Sequence, residues 1–136
     1  MANMKIQEIE GIGPTFGAKL EAAGITNTDT LLERGKTPKG RKEIASSADL
    51  SEKHVLSWVN MADLFRLKGV GPEFAELLEA SGVDTVKELK HRNAANLATK
   101  MTEVNEDKKL TRRVPTESQV VGWVEEAKEL PPMVEY

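Results

Sequence analysis

Two short stretches have the residue types and spacing to do chemistry: Gly11-Ile12-Gly13-Pro14 and Gly69-Val70-Gly71-Pro72. Two glycines flanking one apolar residue allow a tight turn with positive φ. Ile12 and Val70 would plug these turns into a core, and the second glycine of each would open a helix. The first N–H groups of a helix have no intrahelical partner and carry a partial positive charge. Such an N-terminus can hold a phosphate oxygen without any basic side chain. The chemistry these residues offer is anion recognition.

Other chemistries find little support. The chain has no cysteine, which removes disulfides, thiolate ligands and cysteine nucleophiles together. His54 and His91 are the two histidines, and neither has partners at metal-ligand spacing, so no metal is expected. Gly11-Ile12-Gly13 does not extend to a dinucleotide fingerprint, because no strand precedes it and position 16 is Phe. No Walker pattern, G-x-S-x-G or H-E-x-x-H occurs, and the carboxylates form no paired set of the kind a metal-dependent nuclease needs. The expectation is a non-enzyme with no catalytic residue, no cofactor and no small-molecule substrate.

The elements that position the two turns come from an internal repeat. IEGIGPTFGAKLEAAGI, starting at Ile9, aligns with LKGVGPEFAELLEASGV, starting at Leu67, at an offset of 58. Eight of the fourteen positions from 11 to 24 are identical. Leu31/Leu89 and Arg34/Arg92 match further on. At an offset of 65, SEKHVLSWVNMA matches TESQVVGWVEEA, which pairs Trp58 with Trp123. The change of offset places about seven extra residues in 102–115. Pro14 and Pro72 suit the first position of a helix, and Gly24 and Gly82 suit the residue that ends one. Ser51 and Thr116 read as N-caps, with Gln119 completing a capping box. Val55, Trp58, Val59, Ala62 and Phe65 form one apolar stripe, and Val120, Trp123, Val124 and Ala127 another. Shorter helices are expected over 28–34, 39–47, 85–92 and 93–101, and frayed residues after Pro131-Pro132. No segment alternates as a strand does. The expected fold is all-α: about ten short helices in two pseudo-symmetric repeats, 1–66 and 67–136, sharing one core.

Composition sets the boundaries of this reading. With 39% apolar and 30% charged residues the chain is globular rather than disordered. No stretch suits a membrane span and MANMKIQEIE lacks the apolar core of a signal peptide, so a cytoplasmic protein is expected. The net charge of -3 rules out a generally basic nucleic-acid binder. Residues 1–66 carry nine basic and nine acidic side chains, against ten and thirteen in 67–136.

The paired segments resemble helix-hairpin-helix motifs, h-x-G-h-G-x-x-x-A/G-x-x-h-x-x-x-G, with Gly17 and Ala75 at the small-residue position. The whole chain resembles an uncharacterised bacterial family of tandem helix-hairpin-helix proteins, a domain of unknown function. The resemblance implies hairpins related by a pseudo-two-fold axis, holding the two strands of a duplex across the minor groove through phosphates. Some hairpins of this kind also coordinate a monovalent cation through turn carbonyls.

The expected contacts are therefore Gly11, Ile12, Gly13, Thr15 and Lys19 at the first turn and Gly69, Val70 and Gly71 at the second. Arg34, Lys36, Lys39, Arg41 and Lys42 join them as a glycine- and proline-bearing basic cluster. The expected partner is the backbone of double-stranded DNA, bound without sequence preference. The alternative is an adaptor that uses the same fold to bind another protein. Glu73, Glu76 and Glu79 would compete with phosphate at the second turn, so the first is expected to be the stronger site. Two further basic clusters, Lys87-Lys90-His91-Arg92 and Lys108-Lys109-Arg112-Arg113, read as solvated faces. Trp58 and Trp123 could stack on bases, but their helical spacing with valines makes them core residues.

Overall fold

The computed structural model describes residues 3–136; Met1 and Ala2, where the first repeat is expected to begin, lie outside the described residues. The described chain is all-helical. A 3-10 turn at Ile6–Glu8 precedes α1 (Gly13–Ala22), α2 (Thr28–Gly35), α3 (Pro38–Ala48), α4 (Glu52–Leu64), α5 (Pro72–Ala80), α6 (Val86–Leu89), α7 (Ala94–Lys108) and α8 (Glu117–Glu129). The lead-in to the first turn is thus one 3-10 turn, whereas the second turn follows α4, thirteen residues long. No helix among the described residues is long and apolar enough to cross a membrane.

Local chemistry explains most helix ends. Asn27, Thr37, Ser51, Thr85, Asn93 and Thr116 each accept a backbone N–H with the side chain, as N-caps do. Thr116 and Gln119 complete the expected capping box. α1 and α5 close alike: Ile25 N–H donates to Leu20 O, and Val83 N–H to Leu78 O, both at 2.9 Å. Gly24 (φ 86°) and Gly82 (φ 95°) supply the left-handed residue such a Schellman ending needs.

α7 runs seven residues beyond its expected end. Met101 at the expected end is buried and Val104 on the extension is half-buried, so packing against α8 carries the helix on into the polar insertion. Part of the insertion is therefore helix. Lys109 (φ 51°) ends it, and Asn105 then holds Thr111 through both its backbone N–H and its carbonyl.

Buried residues from Ile6 to Val134 form one hydrophobic cluster. α4 packs on α2 and α3, α8 packs on α6 and α7, and α4 joins α5. The link between them is polar and dry. Asp63 and Arg66 pair at 2.8 Å with side chains 2% and 3% exposed. Asp63 also accepts the N–H of Val86, and Arg66 donates to Pro131 O. The last residues are not frayed. Glu135 N–H donates to Lys36 O at 2.7 Å, Arg41 donates to Glu135 O, and Val134 is buried. Extended backbone after a proline pair offers unpaired carbonyls, and two arginines take them.

Candidate nucleic-acid interface

In the first turn Gly11 (φ 88°) and Gly13 (φ 63°) both lie in the left-handed region. Ile12 between them is buried, and its N–H bonds Ile9 O. Gly11, Gly13 and Thr15 are exposed. The N-cap of α1 makes no side-chain bond, and no acidic residue stands in the helix's first turn. Its first N–H groups therefore keep their partial charge uncompensated by the helix itself. Gly17, one turn on, leaves room for Gln7, which reaches across to Glu21.

The second turn is built differently. Gly69 is left-handed (φ 85°), but Gly71 is extended at φ -100° and ψ -171°. Only three of the four turn glycines thus need the left-handed region. Extended backbone is the usual state of a residue before proline. Val70 is buried as expected. Lys68 N–H already donates to Glu126 Oε1 at 2.9 Å, and Glu73 stands in the first turn of α5. A cleft of about 540 Å³ opens over this turn, and Glu8 and Glu10 from the approach to the first turn line it beside Glu73 and Phe74. Sequence offered no sign of that meeting, since some sixty residues separate the partners. Burial pushes the Glu76 carboxyl above its ordinary value, with Glu10 and Glu79 adding like charge. Burial also raises Glu79, against a hydrogen bond from Ser57. Carboxylates thus gather on one side of Gly69 and Gly71, while Arg66 and Lys68 line the other cleft along the same turn.

Within the basic cluster Arg34, Lys36 and Arg41 are engaged by other groups of the protein. Arg34 donates to Ala23 O at 2.9 Å, and Arg92 does the same for Gly82 O at 2.6 Å. Each arginine thus bonds a carbonyl at the C-terminal end of the preceding long helix, α1 for Arg34 and α5 for Arg92. Arg34 is thereby about 15 Å from the opening of α1, the length of a ten-residue helix. Arg41 is 6% exposed and donates to Gly35 O and Glu135 O. Burial lowers its pKa, with Tyr136, Glu135 and Glu52 opposing. Arg41 is spent on carbonyls that helix ends and tail leave open. Lys36 pairs with Glu33, and Lys19 reaches the backbone and carboxylate of Asp49. Lys39 and Lys42 are exposed and make no ion pair among the described residues.

Both tryptophans are 4% exposed. Phe16 packs on Trp58 at 5.3 Å and Phe74 on Trp123 at 5.4 Å, and Trp123 Nε1 donates to Lys68 O. That hydrogen bond ties α8 to the approach of the second turn. Stacking on bases would need rings that these contacts already cover. His54 was not among the expected site residues, yet it lies over Trp58 and Phe16 at 5.5 and 5.4 Å. It brings the start of α4 to the start of α1. Its position four residues before Trp58 was the available signal.

The family model described as "Domain of unknown function (DUF4332)" matches residues 10–130, and the chain belongs to that family. Among curated proteins and among solved structures no match to the chain was found.

Proposed function

We propose that this member of the DUF4332 family is a non-catalytic binding module of two pseudo-symmetric helix-hairpin-helix repeats, 1–66 and 67–136, that contacts a nucleic-acid backbone at its first turn. The repeat reading draws support from the matching Schellman ends, the Arg34 and Arg92 caps and the two Phe–Trp pairs. One observation carries the contact: α1 opens uncapped and acid-free at two exposed glycines, while α5 opens among carboxylates. In this reading the second hairpin is a corner of the fold, so one strand is touched rather than two clamped. Backbone N–H groups of α1, the Thr15 hydroxyl and His54 at the start of α4 would meet about two phosphates.

A titration against duplex, junction and single-stranded DNA at two salt concentrations tests this. About two phosphates give a slope of about -2 in log K against log salt. No binding to any of the three at low salt sinks the proposal. A second reading, the protein-interaction adaptor, is favoured by the acidic cleft over the second turn, where half-buried Phe74 lies beside Glu8, Glu10 and Glu73. Such a cleft suits a protein segment carrying lysine or arginine beside an apolar residue.

A further inference from the structure

Ala23 and Ser81 occupy matching positions at the ends of α1 and α5. Ser81 is 3% exposed, and its Oγ has no hydrogen-bond partner. A buried hydroxyl without a partner is costly, and such a group in a folded protein calls for an explanation. Ser81 lines a cleft of about 550 Å³ together with Arg92, His91, Lys100 and the opening of α7. No carboxylate lines this cleft, whereas each of the four other described clefts has at least one.

The donors around it are only partly used. Arg92 commits Nη2 to Gly82 O and Glu88, which holds the guanidinium in place, while its other N–H groups make no bond among the described residues. Asn93 caps α7 by accepting from Asn96 N–H alone, so the N–H groups of Ala94 and Ala95 remain open at the head of a fifteen-residue helix. A bound anion would therefore meet open helix N–H groups, a cation fixed by two anchors and a hydroxyl in need of an acceptor.

We infer that this cleft is a phosphate-binding site, with Ser81, Arg92, Lys100 and the opening of α7 as its donors. The ligand is a phosphate group, on a small phosphorylated molecule or in a nucleic-acid backbone. The site lies at the far end of α5 from Gly71, about 13 Å away over nine residues, and does not rest on the first-turn reading.

The test is an NMR titration of the full chain at low ionic strength with three probes: inorganic phosphate, a nucleoside monophosphate and a short DNA duplex. Amide shifts at Gly82, Ala94 and Ala95 that sodium chloride at matched ionic strength does not produce are expected. Ser81→Ala and Lys100→Gln should each weaken binding about tenfold, the scale of one hydrogen bond to a charged group. Ser81→Ala should leave the melting temperature unchanged or raised, because it deletes an unpaired buried hydroxyl. Gly13→Ala should leave these shifts intact, which separates this site from the first turn. Stronger binding of the monophosphate assigns a small ligand, and stronger binding of the duplex assigns a backbone phosphate. Absence of the shifts with all three probes overturns the inference. So does undiminished affinity in both Ser81→Ala and Lys100→Gln.

Discussion

Replacing Gly13 and Gly71 by alanine, one at a time, should give opposite results from positions that look equivalent in sequence. Neither new Cβ meets a heavy atom within 4 Å, so packing does not decide between them. Backbone conformation does. Gly71 at φ -100° and ψ -171° sits where alanine is comfortable. Losing the freedom of glycine in the unfolded chain should then stabilise Gly71→Ala by about 0.4–1 kcal/mol. Gly13→Ala gains the same unfolded-state term but must hold a Cβ at φ 63°. Because that term is common to both, the difference between the variants isolates the native strain, about 1–2 kcal/mol. For a chain of this size each kcal/mol moves the melting temperature by about 3–5 °C, so Gly71→Ala should melt about 3–10 °C above Gly13→Ala. Thermal and urea unfolding of the two variants beside the parent read this directly. If Gly71→Ala melts with Gly13→Ala or below it, the two turns share one backbone and the asymmetry fails.

Trp58→Ala and Trp123→Ala should each cost about 3–5 kcal/mol in urea unfolding, as large core truncations do, and Trp123→Ala also frees Lys68 O. Asp63→Ala should cost about 3–5 kcal/mol, since it leaves Arg66 buried without its partner and Val86 N–H unpaired. The double change Asp63→Ala with Arg66→Met should cost less than the sum of its parts, and strict additivity would contradict the coupling. Glu76, raised mainly by burial, favours its neutral form in the fold, so its contribution to stability is full below the ordinary carboxylate value and is lost as pH rises through the raised one. Glu76→Gln should therefore stabilise the protein at pH 7 and progressively less as pH falls toward that ordinary value; a pH-independent gain would rule out titration as the cause.

What could be read from the sequence was what depends on neighbours within about four residues. Ser51, Thr116 and Gln119 declare helix starts, Gly24 and Gly82 declare ends, and the tryptophan stripes declare their buried faces, because caps and helical faces are local geometry. Side chains whose partners lie far along the chain were not readable. Arg41 looks like part of an exposed basic run until Glu135 supplies its acceptor. The reach of Lys19 to Asp49, thirty residues on, is likewise absent from the local pattern. Glu8 and Glu10 reach the second turn through packing that no pattern in either segment announces. Gly71 shares its sequence context with Gly13 yet not its backbone, because what precedes the two turns differs: a single 3-10 turn in one case and α4 in the other.

The extended tail has a consequence for how the chain reaches this state. Arg41 and its acceptor on Glu135 are 94 residues apart, and Arg66 waits 65 residues for Pro131. During synthesis the first half of the chain emerges well before these acceptors leave the ribosome. Until then Arg66 has Asp63 and Arg41 has Gly35 O as local partners, and the tail completes their hydrogen bonding as it docks. Such long-range closure raises contact order above that of a helical bundle with only local contacts and slows the last folding step. It also ties Glu135 to Lys36 and Arg41, so loss of the final few residues should be felt at α2 and α3, far away in the sequence.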